Sequence, residues 1–192
     1  MRSLPASPVE FLEPLSKPPD TLYIGRIHGP FTDIIIAGTG DALVFAARDV
    51  SLEDFSHDLH IRYGIRSIHD TAPLCEYIAA FEAYFAGSRE PFASRVQPFG
   101  VTEFTLDVHR FLTRIPYGAV MSYGDVAEGV GRPLGCRAVG NACGKNRILI
   151  VIPCHRVVAS NGIGGFGAGL DIKKRLLDFE GVAWDRIGRI TS

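Results

Sequence analysis

Cys154 and His155 stand side by side directly after Pro153, and they are the residues whose types most clearly suggest chemistry. A thiol next to an imidazole can supply a nucleophile and the base that activates it. The bland alternative is a small buried cysteine that packs as an apolar side chain. Upstream, Ile148-Leu149-Ile150-Val151-Ile152 is a continuous apolar run ended by proline, which reads as a strand buried on both faces. On this reading a rigid element delivers Cys154.

The surrounding elements add candidates. Ser122-Tyr123-Gly124-Asp125 has the spacing of a capping box with aspartate in place of glutamate, and it opens a short helix to about Val130. Gly131-Arg132-Pro133 breaks the chain before a second helix from about Leu134 to Gly144. On that helix Cys136, Val139 and Cys143 make an apolar stripe, expected in the core. The opposite face carries Arg137, Gly140, Asn141 and Gly144. Glycine inside a helix costs about 1 kcal/mol relative to alanine, so two on one face suggest that something large approaches the backbone; tight helix packing is the plainer explanation. Two short helices around a turn read as a helix-turn-helix. A smooth face with a single arginine suits the minor groove better than base reading in the major groove.

Asn146 follows where a turn is needed. Residues 160–169 form a glycine-rich loop around Phe166, without the lysine of a phosphate-binding loop. It reads as a wall for a planar ligand or as a plain mobile loop. Asp171 is expected to cap the last helix, with Ile172, Leu176, Leu177 and Phe179 apolar. Glu180 sits in its final turn, where the helix dipole disfavours negative charge. A carboxylate there could orient an imidazole.

Composition bounds these readings. The chain has 192 residues, 46% of them hydrophobic, enough to bury a substantial core. The N-terminal residues lack the apolar core of a signal peptide, and no stretch is long enough to span a bilayer, which places the protein in the cytoplasm, away from membranes. Cys75, Cys136, Cys143 and Cys154 include no Cys-x-x-Cys pair, so neither disulfides nor a zinc site are expected. His57 and His60 share a helical face and read as solvated surface. The net charge of −1 hides an asymmetry: residues 1–100 carry 8 Lys+Arg against 13 Asp+Glu, and residues 101–192 carry 12 against 8. A basic half could meet a polyanion, or the halves could simply attract each other.

The expected organisation is a flexible Pro-rich stretch (1–20), an N-terminal α/β domain (21–90), a Pro/Gly linker (91–100), a second domain (101–185) and a tail (186–192). In the first domain, Leu22–Ile24, Asp33–Ala37 and Ala42–Ala47 read as strands, the last two suggesting an antiparallel hairpin across the Gly-rich turn Gly38–Asp41, followed by a helix capped by Asp70 or Thr71 and ended by Gly87. Residues 51–69 are ambiguous. Thr102 opens another helix, with Phe104, Val108, Phe111 and Leu112 on one face.

Taken together, Ile152-Pro153-Cys154-His155-Arg156-Val157, Ile115-Pro116-Tyr117-Gly118, Ser122-Tyr123, Arg137-Ala138-Val139-Gly140-Asn141-Ala142, Asn146 and the loop closing on Gly169-Leu170 resemble the O6-alkylguanine-DNA alkyltransferases over residues 100 to 182. The resemblance implies an α/β, two-domain fold: an N-terminal antiparallel sheet with helix, ribonuclease H-like, and a mostly helical C-terminal domain carrying a DNA-binding helix-turn-helix. It implies that Cys154 takes an alkyl group, once per molecule, from O6 of a guanine flipped out of double-stranded DNA, with O4 of thymine as a further position. His155 would act as base through a water, Glu180 would orient it, Asn146 would brace the site, and Tyr123 would assist the leaving guanine. Arg137, Ala138, Gly140, Asn141, Gly144 and Tyr123 would contact DNA from the minor groove, with Arg137 filling the gap in the base stack. Pro153, Val157, Phe166, Gly167 and Ala168 would line the base pocket. The resemblance implies a monomer needing no metal or organic cofactor. Phe166 replaces the family's usual tyrosine in a loop one residue shorter, Arg147 and Leu149 stand where prolines are common, and His109 stands where tryptophan is frequent. A Cys-His hydrolase that regenerates its thiolate and a non-catalytic DNA-binding regulator are the alternatives.

Overall fold

The computed structural model describes residues 4–183 apart from Asp49, Pro91 and Ala93. Residues 1–3 and the tail at 186–192 lie outside that range. The described residues form two compact units: one lies within 8–101 together with Arg147–Leu149, the other holds the remaining described residues.

The first unit is built on a six-stranded sheet of β1 (Glu10–Phe11), β2 (Thr21–Ile27), β3 (Ile34–Gly38), β4 (Leu43–Arg48), β5 (Arg66–His69) and β6 (Arg95–Val96), in the order β1-β6-β4-β3-β2-β5. β2, β3 and β4 pair antiparallel, β3 with β4 across the turn at Gly38–Asp41, and Ile34, Ile35, Ile36 and Ala37 are buried. The sheet is mixed, however, because β5 lies parallel to β2, and β6 lies parallel to β4 and β1. The Pro-rich stretch and the stretch read as a linker thus each add a strand. Two-residue strands made by pairing across more than eighty residues leave no periodic trace in the sequence.

The ambiguous segment is a helix, α1 (Leu52–Tyr63), followed by β5. Ser51 caps α1 by accepting from the Asp54 amide at 2.9 Å, and Gly64 ends it at φ 69°. Only Phe55 and Leu59 of α1 are buried, too narrow a stripe to announce a helix; His57 and His60 are on its exposed side. Phe55 and Leu59 pack with Leu22, Ile24, Ile35, Val44, Phe45, Ile65 and Phe99. A short 3₁₀ turn at Ala72–Leu74, whose Ala72 amide donates to Asp70 at 2.9 Å, leads into α2 (Cys75–Phe85).

The second unit holds α3 (Glu103–Leu112), α4 (Tyr123–Gly129), α5 (Cys136–Gly144) and α6 (Leu170–Phe179), with β7 (Met121–Ser122) parallel to β8 (Val157–Val158). Thr102 caps α3, and the Ser122–Asp125 capping box is present in both directions. His109, which stands where tryptophan is frequent, is buried on α3 and bonds through Nε2 to the Ala142 carbonyl of α5 at 2.9 Å.

Three expectations fail here. The run 148–152 is buried almost throughout but is no strand: Ile148 makes one parallel bridge, to Ala46, and Ile150 turns the chain at φ 73°. Cys136 is exposed and Cys143 half-buried, because Val139 and Ala142 supply the buried face of α5. Asp171 lies in the first turn of α6, and Gly169, at φ 98°, takes the capping position.

Candidate active site and helical surface

Cys154 opens a single 3₁₀ turn, Cys154–Arg156, which also carries His155; all three side chains are buried. A 3₁₀ turn directs successive side chains about a third of a circle apart, so the thiol and the imidazole are both held on a rigid element but face different surroundings. The Asn146 amide Nδ2 donates to Cys154 Sγ at 3.0 Å and to the Ile152 carbonyl at 2.8 Å. It therefore ties the chain on the near side of Pro153 to the sulfur beyond it.

His155 is fully buried, and its Nε2 lies 2.8 Å from Glu180 Oε1. Arg156 holds the same carboxylate with two parallel hydrogen bonds, from Nε to Oε2 at 2.9 Å and from Nη2 to Oε1 at 3.0 Å, while its Nη1 donates to the Ile115 carbonyl at 2.6 Å. The Gly118 amide adds a bond to Oε2 at 3.3 Å. Gly118 sits at φ 73°, and a Cβ there would approach the Glu180 carbonyl oxygen to 2.9 Å, so glycine is required twice over. Tyr117 donates its hydroxyl to the Phe179 carbonyl at 3.0 Å. The 115–118 turn and Arg156 thus fix the C-terminal end of α6, answering the dipole argument against a glutamate there with a guanidinium.

Protonation follows from this packing. Burial pushes the Cys154 thiol above its ordinary value, opposed by the Asn146 bond and the charge of Lys173. Burial holds His155 below the usual imidazole range despite Glu180. For Glu180 burial acts upward, but His155 and Arg156 outweigh it and keep the carboxyl well below the usual carboxylate range. The resting site is accordingly a neutral thiol, a neutral imidazole and an ionised carboxylate already paired with arginine. His155 Nδ1 is buried and bonds to no protein atom among the described residues.

Tyr123, at the start of α4 and half-buried, donates to the Gly165 carbonyl at 3.1 Å. Burial raises its hydroxyl pKa, so it keeps its proton. Lys173, fully buried, donates to the same carbonyl at 3.0 Å and to the Val157 carbonyl at 2.6 Å. Its Nζ lies 6.0 Å from the Tyr123 ring centroid and 5.9 Å from that of Phe166. Burial brings its pKa down to about 8. One backbone oxygen of the glycine-rich loop therefore accepts from both a tyrosine and a lysine. Phe166 and Ala168 are half-buried and Gly167 exposed, whereas Pro153 and Val157 are buried.

Arg137, Ala138, Asn141 and Gly144 are exposed on α5, and Gly140 is half-buried. A Cβ on Gly144 would meet nothing within 4 Å, and one on Gly140 would make ordinary contact with Tyr123 at 3.8 Å. Among the described residues nothing demands glycine at either position.

The structure thus brings Asn146, Cys154, His155 and Glu180 into one bonded set and sets Tyr123 and Phe166 around Lys173. The sequence reading missed the parts of Arg156 and Lys173. A signal existed for the latter: Lys173, Leu176, Leu177 and Glu180 follow i, i+3, i+4, i+7, so the apolar stripe of α6 carries a charge at each end.

Comparison with known proteins bears on this arrangement. Residues 103–182 match the family model described as the DNA-binding domain of 6-O-methylguanine DNA methyltransferase. A methylated-DNA–protein-cysteine methyltransferase from Methanosarcina acetivorans is 48% identical over 101 residues, 52% of this chain and 64% of that protein. One from Mycobacterium leprae is 38% identical over 160 residues, covering 83% of this chain and 92% of that protein. The crystal structure of Mycobacterium tuberculosis OGT in complex with DNA superposes with a TM-score of 0.69 at 33% identity, over 83% of this chain and 92% of that one. With its bonded cysteine site and a likeness to such relatives over 83% of its length, the chain belongs to the methylated-DNA–protein-cysteine methyltransferase family.

Proposed function

We propose that this protein reverses alkylation damage in double-stranded DNA by moving an alkyl group from O6 of guanine to Cys154, once per molecule. The observation that carries the reading is the bonded set Arg156–Glu180–His155 beside a buried Cys154 that is itself held by Asn146. A buried neutral thiol is a weak nucleophile and needs a base. His155, kept neutral by burial, can take the proton through a water between its Nδ1 and Sγ, and Glu180 offsets the charge of the imidazolium that forms. The Sγ–C bond then forms as the C–O6 bond breaks, and Tyr123 supplies a proton to the departing guanine. The thioether has no route back to a thiol at this site, which limits each molecule to one event.

Cys154 is buried, so the base must leave the duplex to reach it. We assign Pro153, Val157, Phe166, Gly167 and Ala168 to the walls that receive that base. In this reading α4 and α5 form a helix-turn-helix lying in the minor groove: Arg137 enters the base stack, and Ala138, Gly140, Asn141 and Gly144 let the sugar-phosphate walls come close. The absence of any internal need for glycine at positions 140 and 144 supports this. The sheet unit fits a ribonuclease H-like domain, with β4-β3-β2-β5 in order and β5 parallel to β2. One acceptor thiol per chain requires no second subunit, so we take the acting form to be a monomer in the cytoplasm. No helix among the described residues is long and apolar enough to cross a membrane.

Incubation with duplex DNA containing O6-methylguanine tests the proposal. Peptide mass spectrometry should find methyl on the Cys154 peptide, at no more than one per protein. Cys154→Ala should abolish transfer yet retain DNA binding that weakens with salt. An unmodified Cys154 alongside intact binding would favour a non-catalytic regulator, and repeated turnover of an ester or amide would favour a hydrolase.

A further inference from the structure

Arg147 follows Asn146 directly in the chain and has no part in the chemistry described above. Asn146 and Ile150 belong to the helical unit, whereas Arg147, Ile148 and Leu149 belong to the sheet unit. The excursion is firmly fastened. The Ala46 amide donates to the Arg147 carbonyl at 2.8 Å, and the Leu149 amide donates to the Ala46 carbonyl at 3.1 Å. The Arg147 side chain donates from Nη1 to the Phe99 carbonyl at 2.8 Å. Its guanidinium lies 4.7 Å from the Phe99 ring centroid and 5.4 Å from that of Tyr63, and the two rings meet edge to face at 5.3 Å. A planar guanidinium is suited to stacking on a ring while still donating from its edge.

Immediately before this anchor, Asn146 carries the amide that donates to Cys154 Sγ and to the Ile152 carbonyl. Three residues after it, Ile150 adopts φ 73°. A β-branched residue is a genuine outlier in the left-handed region and persists only where its surroundings enforce the conformation. The segment from Asn146 to Cys154 is thus a short loop under backbone strain, closed at its neck by the Asn146 amide and held just beyond it by Arg147.

We propose that Arg147 is a positioning residue for alkyl transfer: by fastening the chain next to Asn146, it keeps the Asn146 amide on the sulfur of Cys154. An N–H donor on sulfur favours the thiolate. Release of the arginine lets the strained loop relax, moves the amide and leaves the thiol harder to ionise. This inference rests on Cys154 being the alkyl acceptor.

The test uses the full chain as wild type, Arg147→Met, Arg147→Lys, Asn146→Ala, the double variant Asn146→Ala/Arg147→Met, and Phe81→Leu, a fully buried α2 position outside the cluster that holds Phe99, as a control that weakens the sheet unit elsewhere. Two measurements are made on each: the single-turnover rate of methyl transfer from O6-methylguanine duplex, and the pH dependence of Cys154 labelling by iodoacetamide, read by peptide mass spectrometry. Arg147→Met should slow transfer by on the order of tenfold and move the labelling profile to higher pH. Arg147→Lys, which keeps a cation over the rings, should recover most of both. The double variant should shift the profile no further than Asn146→Ala alone. Phe81→Leu should lower the melting temperature and leave the profile in place. Superposition of the Arg147→Met and wild-type profiles would overturn the proposal, as would an equal shift in Phe81→Leu. Should wild type take no methyl group, the functional reading falls, while the labelling arm still decides whether Arg147 positions Asn146.

Discussion

The two units bury different things. In the sheet unit the buried side chains are apolar apart from Thr32 and Ser94, whereas the helical unit buries His109, His155, Arg156, Lys173 and Glu180 among the described residues. Ionisable groups out of water destabilise a fold unless they are bonded. A buried ion pair is seldom better for stability than apolar side chains of the same volume. The helical unit therefore gives up stability that the sheet unit keeps. Under the proposed alkyl transfer, what it gains is a neutral thiol and a neutral imidazole whose charges would appear only when the reaction runs, next to a carboxylate already fixed in place.

Removing the carboxylate should break the contrast most severely. Glu180→Ala leaves the Arg156 guanidinium buried with only the Ile115 carbonyl, a loss of about 3–5 kcal/mol. Methyl transfer should fall by roughly a hundredfold or more as His155 loses its orienting partner. Urea unfolding together with single-turnover kinetics would measure both. Ile36→Ala in the sheet unit, where the side chain is fully buried, should also cost about 2–5 kcal/mol. Its rate per folded molecule should stay at the wild-type value. A large rate loss in Ile36→Ala would mean that the stability core and the chemical core are not separable.

Acid offers a milder probe of the same difference. His155 has a folded pKa below its unfolded one, so the unfolded chain binds the proton more readily, and stability falls as pH drops through about 6.5. Glu180 is also depressed; its contribution is fully present above the ordinary carboxylate value and is lost as pH falls from there through the folded value. Both act in the same direction. Urea midpoints should therefore decline between pH 7.5 and 5.5 in wild type, and His155→Gln should flatten that decline. An unchanged slope in the variant would place the acid sensitivity elsewhere.

How legible these features were in the sequence depended on how local their causes are. The β3–β4 hairpin, the Thr102 cap and the Ser122–Asp125 box are set by neighbours a few residues apart, and each is found where expected. Cys154, His155, Asn146 and Glu180 were legible as candidates, and the structure brings them together. The arginine that holds Glu180 was not singled out, because its role depends on α6 ending beside it. The run 148–152 misled for the opposite reason: apolar content reports burial, and burial without a partner strand gives no ladder. β1 and β6 exist only because 8–101 closes on itself, a fact no window of residues contains.

The smallest expected effect separates the two faces of α5. The spacing of Cys136, Val139 and Cys143 suggested one apolar stripe, yet Val139 is fully buried while Cys136 is exposed and Cys143 half-buried. Val139→Ala removes two buried carbons and leaves a small void, costing about 2 kcal/mol. Cys136→Ser changes a solvated side chain and should stay within about 0.5 kcal/mol of wild type. Cys143→Ser lies between them. Burial pushes that thiol up to about 12, so it stays protonated at neutral pH, and serine should be tolerated at a small loss of packing. Thermal melts of the three variants would rank the positions, and a Cys136→Ser loss as large as that of Val139→Ala would restore the stripe and put the exposed edge of α5 back into the core.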